Sequence, residues 1–251
     1  MTSPILPSAV GPREDADLAS SSDAYGLRFS GSVGRWFLAL QARITLEALA
    51  GLPAGAPVLD VGGGHAQLAP VLVAKGFRVT VVGSDRSCGR KLEPWLATGQ
   101  CRFQVADLQR LPYGAGAFSA VLCFRLLAHS VNWTGLIREL CRVAADRVVA
   151  DYPSRRSVNV IADHLFAMKR SIEGPLTRPY AVYDRGEIAE AFTRSGFRVV
   201  REVPQFFLPM MLYRVLGSEG IGRAVEWPAR HLGVTRFLGS PIIVRADRRP
   251  A

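Results

Sequence analysis

Residues 58–75 constrain this chain more than any other stretch. Val58-Leu59-Asp60-Val61 is an apolar, β-type run that ends beside a carboxylate, and Gly62-Gly63-Gly64-His65-Ala66-Gln67 follows at once. Leu68–Lys75 then has the composition of a helix. Strand, glycine turn and helix in this order form the corner of an open α/β sheet. There, backbone without Cβ atoms lets a nucleotide-type ligand come close to free helix N–H groups. A dinucleotide fingerprint would need a further glycine at position 67, which is Gln67, and a pyrophosphate would be repelled by Asp60.

The rest of the chain continues this rhythm. Strands are predicted at 57–61, 77–82, 101–105, 118–124, 147–151, 197–203 and 242–245. Helices are predicted at 68–75, 89–97, 133–143 and 184–195. Upstream, Trp36, Phe37, Leu40, Ile44 and Leu49 recur at helical spacing, and Gly51-Leu52-Pro53 stops that helix. Strands alternating with helices predict an α/β fold: a Rossmann-like, doubly wound, seven-stranded and mostly parallel sheet with a helical N-terminal region. At 251 residues the chain suits one domain over 25–251, with residues 1–24, which lack periodicity, as a disordered tail. Two segments are too long for ordinary connections, about 153–183 (with a helix near 158–169) and 205–233, and both are expected to be lid insertions.

The pattern Asp60-x-Gly62-x-Gly64-x-Ala66 resembles motif I of the class I S-adenosylmethionine-dependent methyltransferases, usually (D/E)xGxGxG, with Ala66 in place of the last glycine. Two further segments resemble that family in the same order. Ala106-Asp107-Leu108 matches the motif after the third strand, and Phe118–His129 the fourth-strand motif. The text is most like the small-molecule methyltransferases of the ubiquinone/menaquinone-biosynthesis type. The resemblance implies S-adenosyl-L-methionine as cofactor. Asp60 would face the ammonium, with Gly62, Gly63 and Gly64 as the cradle. Asp107 would accept from the adenine amino group, Leu108 would pack on the ring, and Phe124 would stand at the fourth strand's end. The family's ribose-binding acid stands about where Gly83 is. Asp85, two residues later, either returns to the ribose or caps the helix that begins near Cys88.

For the chemistry, His129 is the candidate general base if the acceptor must lose a proton; packing is the other reading. Arg28, near Tyr25, Phe29 and Trp36, is placed to grip the cofactor's carboxylate. Asp151 and Tyr152 end the fifth strand near the acceptor side. Phe206 and Met210 belong to a greasy run that either walls an acceptor pocket or forms lid core. Lys169, Arg170, Arg178 and Arg185 are candidate anion contacts. The expected activity is methyl transfer to a small, apolar or amphipathic acceptor.

The charge of +10 is carried almost wholly by arginine, and only Lys75, Lys91 and Lys169 are lysine. It is dispersed, with no RNA-binding signature, so nucleic acid is not the expected partner; a basic face toward acidic lipid stays open. RNA or protein methylation is a second reading, weakened because Phe124-Arg125-Leu126-Leu127 stands where a base-methylating (N/D)PPY motif would be. A non-catalytic scaffold or partner subunit with a cofactor fold is a third. Four cysteines without CxxC or Cys/His spacing predict no metal site and reduced thiols. With no signal-like or membrane-length run, the cytoplasm is the expected location.

Overall fold

The computed structural model describes residues 15–158 and 181–250. Nearly all of the helix expected over 158–169, the loop at 173–180, and Lys169, Arg170 and Arg178 lie outside the described residues. The described residues form a seven-stranded sheet, β1 Pro57–Val61, β2 Arg78–Gly83, β3 Cys101–Val105, β4 Phe118–Cys123, β5 Ala144–Tyr152, β6 Phe197–Phe206 and β7 Ser240–Arg248, in the order β3-β2-β1-β4-β5-β7-β6. The first five strands run parallel, and β7 is antiparallel to both β5 and β6. The expected α/β fold is therefore present. The winding reverses direction between β1 and β4, and the crevice outside those strand ends is where ligands of open α/β sheets bind.

β1 is apolar almost throughout because both of its faces are covered. Leu59 and Val61 pack with α6 (Trp133–Val143) and α7 (Arg185–Arg194), through Leu136, Leu140, Ile188 and Phe192. Val58 faces the other way, onto α3 (Gly31–Leu49) and α4 (Ala69–Ala74), through Phe37, Leu40, Ile44 and Leu72. The spacing of Trp36, Phe37, Leu40 and Ile44 thus marks the buried face of α3 as expected.

Two boundaries depart from the sequence reading. β6 continues through Pro204 to Phe206. It lies at the edge of the sheet, where a residue without an N–H is tolerated. The second insertion therefore begins after Phe206 and carries α8 (Met210–Leu216), α9 (Glu219–His231) and α10 (Val234–Leu238) before β7. The stretch expected to be a disordered tail, residues 1–24, holds α1 (Ala16–Ser21) and the first two residues of α2 (Asp23–Leu27). Six residues do not sustain a helix alone. Contacts with the glycine turn hold α1, and those contacts are long-range and invisible to periodicity.

Candidate functional site

The β1 end carries Asp60, 2 % exposed, and the glycine turn folds back over it. A Cβ on Gly63 would overlap the Asp60 carboxylate, and one on Gly64 would overlap the Cys88 carbonyl and Ser21 Oγ. Gly62 adopts φ +75° and donates its N–H to Val82 O at 2.8 Å, tying the turn to β2. Ala66, at the motif's third glycine position, holds φ +57°, a conformation that costs an L-residue about 1–2 kcal/mol. The turn keeps its shape with strained alanine where glycine would be relaxed.

A small cavity remains beside this turn, lined by Asp60, Gly62, Gly63, His65, Gln67 and Arg125, among others. Arg125 was not singled out in the sequence, and it organises the cavity. It follows β4 with φ +58°, donates its backbone N–H to Asp151, and donates from its guanidinium to Gln67 Oε1. Its charged group also lies 4.9 Å from the centre of the Phe29 ring. A positive φ in a non-glycine residue at a strand end is a signal only a structure supplies.

Burial dominates the electrostatics. It pushes the Asp60 carboxyl up to about 7, with the Arg125 charge acting in the opposite direction. Asp151 rises to about 6 for the same reason, opposed by the Arg125 N–H and charge. His65 falls to about 4, chiefly by burial and then by Arg125 and Lys91. At neutral pH the site therefore holds a neutral imidazole and a carboxyl poised to ionise when a cation arrives.

The N-terminal segment closes the front of the crevice. Asp17, fully buried, accepts the Ser84 N–H at 2.7 Å just past the end of β2. Its Cβ lies 3.5 Å from where a Cβ of Gly62 would stand. Ala16 packs in the same cluster as Ala106 and Leu108. Tyr25 and Phe29 set their rings edge-on to His65, at centroid distances of 6.0 and 5.7 Å. Lys91 Nζ donates to Ser22 O at 3.0 Å. The glycine turn thus does admit close approach, and what approaches is the chain's own α1.

Of the remaining sequence candidates among the described residues, only Phe124 lines the cavity. Asp107 and Leu108 follow β3 at the same edge; Leu108 is fully buried, and Asp107 accepts the Gln109 N–H at 2.9 Å. Phe124 lines the cavity and is 6 % exposed. Arg28 lies over the Tyr25 ring at 5.0 Å, at the C-terminal end of α2. Asp85 is exposed and caps the 3-10 helix Arg86–Leu92, accepting from the Ser87 N–H and hydroxyl. Gly83 leaves no room for an acid, since a Cβ there would stand 2.8 Å from Cys88 Cβ and 3.1 Å from the Phe103 ring.

His129 ends the short turn Leu127–His129 and is not among the residues lining the cavity. Tyr152 is fully buried and donates its hydroxyl to Glu202 at 2.6 Å, so it braces β5 against β6. Phe206, 1 % exposed, sits between Phe37 and Trp36 at ring distances of 4.7 and 5.1 Å, so it is core of the helical layer. Met210 opens α8 and is half-buried against that layer. Arg185 pairs with Glu202 at 3.6 Å.

Residues 35–202 match the family model described as a methyltransferase domain. No curated protein matches the chain. Among solved structures, magnesium protoporphyrin IX methyltransferase from Synechocystis PCC 6803, crystallised with SAH, superposes with a TM-score of 0.63 at 17 % identity, over 90 % of this chain and 94 % of that one. Geranyl diphosphate C-methyltransferase from Streptomyces coelicolor A3(2) gives 0.58 at 18 % identity, over 83 % and 75 %. The [4+2]-cyclase SpnF gives 0.58 at 18 % identity, over 84 % and 82 %. At these identities the likeness is one of fold.

Proposed function

The chain belongs to the methyltransferase-domain family, and we propose that within it this enzyme transfers the methyl group of S-adenosylmethionine to a small, apolar or amphipathic acceptor. The observation that carries the reading is the buried Asp60 carboxyl, folded under the Gly62–Gly64 turn at the switch point of the sheet, with Asp107 and Leu108 just past the end of β3, two strands away. Asp60 is the group to meet the cofactor's ammonium, Arg125 its carboxylate, and Asp107 with Leu108 its adenine. Bound there, the cofactor's sulfonium supplies an electrophilic methyl group.

The protein's contribution is placement and exclusion of water. Asp60 ionises as an ammonium enters, because the cation offsets the desolvation that keeps its proton on. Tyr25, Phe29 and His65 form an aromatic cover over the cavity. The His65 imidazole in this cover is unprotonated at physiological pH but, with its pKa lowered to about 4, only a weak base. This arrangement suits an acceptor that needs no strong base at the cofactor side. α1 lies against the same glycines and the same Ser84 N–H that a ribose would approach, so cofactor entry requires α1 to withdraw.

The second insertion supplies the apolar character inferred for the acceptor side, through Leu208, Met210 and Val225 packed on the α3 layer. A second reading is a cofactor-fold protein that does not transfer methyl groups, and one observation favours it: the crevice is filled by the chain's own α1. Calorimetry with S-adenosylmethionine separates the two. Saturable binding at micromolar cofactor, competed by S-adenosylhomocysteine, is the expected result. No heat at millimolar cofactor, from folded protein and from protein lacking residues 1–21, would remove the methyl-transfer reading.

A further inference from the structure

We propose that the outer face of the second insertion is a membrane-docking surface, on which α9 and its flanking residues rest against an anionic lipid bilayer. The proposal stands independently of the methyl-transfer reading. α9 buries Gly222, Glu226 and Ala229 on its inner side. At 100° per residue its opposite side carries Ile221, Ala224, Trp227 and Pro228, and the one titratable group there is His231. A surface helix ordinarily places charges on that side, whereas this side of α9 is apolar but for His231.

Ile221 is 50 % and Trp227 62 % exposed. Leu232, just past the helix, is 80 % exposed, and Phe237 on α10 is 68 %. Val215 and Leu216 extend the exposed apolar set ahead of the helix. Of the twelve exposed large apolar side chains among the described residues, seven fall within residues 215–238. Scattered single exposures need no explanation, but a concentration on one insertion marks an interaction surface.

Charge identifies the occupant. Arg223, Arg230 and Arg236 are exposed on the same insertion. The only acids between residues 207 and 239 are Glu219, paired with Arg223 at 2.8 Å, and Glu226, 2 % exposed and paired with Arg230 at 3.3 Å, so the segment keeps a net positive charge. A two-fold dimer through this face would set that charge against its own copy. Anionic headgroups complement the charge, while tryptophan and phenylalanine enter the interface beneath them. No helix among the described residues is long and apolar enough to cross a membrane, so the contact is one of lying on the surface.

The full chain is to be sedimented with vesicles of phosphatidylcholine alone or with phosphatidylglycerol added, and W227A/F237A is to be compared with wild type. Wild type is expected to bind the anionic vesicles, to release them at high salt, and to bind neutral vesicles far more weakly. Because Trp227 and Phe237 are exposed, the double variant is expected to keep the wild-type melting temperature and to lose at least about tenfold in vesicle partition. R236E is expected to weaken binding to anionic vesicles alone. Absence of vesicle binding, or equal binding by the double variant, overturns the proposal. A dimer seen by sedimentation velocity and abolished in the double variant, without vesicle binding, would assign the face to a second copy instead.

Discussion

Replacing Asp17 by alanine tests how the crevice opens. The carboxylate accepts the Ser84 N–H at 2.7 Å in a fully buried setting. A buried hydrogen bond with a charged partner contributes about 1.5–3 kcal/mol. Around it, Asp17 and Ser21 also meet the Cys88 thiol, and Ala16 belongs to the cluster that holds Ala106 and Leu108, while a helix of six residues does not persist alone. Removing that bond therefore weakens docking by about its own contribution. If cofactor binds only the undocked form, its apparent dissociation constant is the intrinsic one divided by the undocked fraction. Weakening docking by about 1.5–3 kcal/mol raises apparent affinity by about ten- to a hundredfold, up to the point where α1 is fully released. Calorimetry with S-adenosylmethionine on wild type, on D17A and on a chain lacking residues 1–21 measures this directly. Both variants are expected to bind more tightly, and to similar limits. If D17A instead binds ten times more weakly, Asp17 is itself a ligand of the cofactor, closing over it from α1. If neither variant changes the affinity, α1 and cofactor do not compete, and the reasoning fails.

Three other perturbations follow from the site and its supports. Asp60 has a folded-state pKa near 7 and Asp151 near 6, both raised above their unfolded values, so the stability they contribute is present at low pH and is lost as pH rises from about 4 through about 7. His65, lowered to about 4, acts in the opposite direction between about 4 and 6.5, but two carboxyls outweigh one imidazole. Urea melts are expected to show stability falling toward pH 7, less steeply in D60N. Cofactor affinity is expected to rise with pH through about 7 in wild type and to be weaker and flatter in D60N. A66G removes the left-handed strain at Ala66; against the added chain entropy of glycine the net gain is about 0.5–1 kcal/mol, or ~1–4 °C in Tm by calorimetric scan. An unchanged or lowered Tm would show that the turn is not strained there. Glu226 accepts from the Phe207 N–H and the Tyr213 and Thr235 hydroxyls and pairs with the exposed Arg230 at 3.3 Å, so E226A strands three buried or half-buried donors. A loss of about 3–5 kcal/mol in denaturant melts is expected, with the second insertion exposed to protease first.

What could be read from the sequence was whatever is local. The β1 carboxylate and its glycine turn announce themselves because the chemistry and the backbone conformation occupy seven consecutive residues. The parallel strands announce themselves because burial on both faces makes each a short apolar run. The face of α3 is legible from its 3–4 residue spacing. Pro204 reads as a strand breaker until the strand is known to be an edge, which is a property of sheet order and not of the residue.

The site was legible only where it coincides with a motif, and its unreadable half explains its behaviour. Gly83 has no side chain because Cys88 and Phe103 crowd it, so no acid is available at the position where the family carries one. Asp85 is turned outward by its capping bonds to Ser87. The Ser84 N–H is nevertheless a buried donor beside that vacant position, and a buried donor must be met. Asp17 meets it from 67 residues upstream. Had β2 ended in its own carboxylate, that group would repel the carboxylate of α1 and leave the crevice open. The missing acid and the docked helix are therefore one feature: losing a fixed anion at the end of β2 is what lets a segment with no periodicity of its own settle as a helix across the glycine turn. D17A and an acid introduced at Ser84, beside the position where the family carries one, should then act alike on α1, the first by removing its anchor and the second by repelling it.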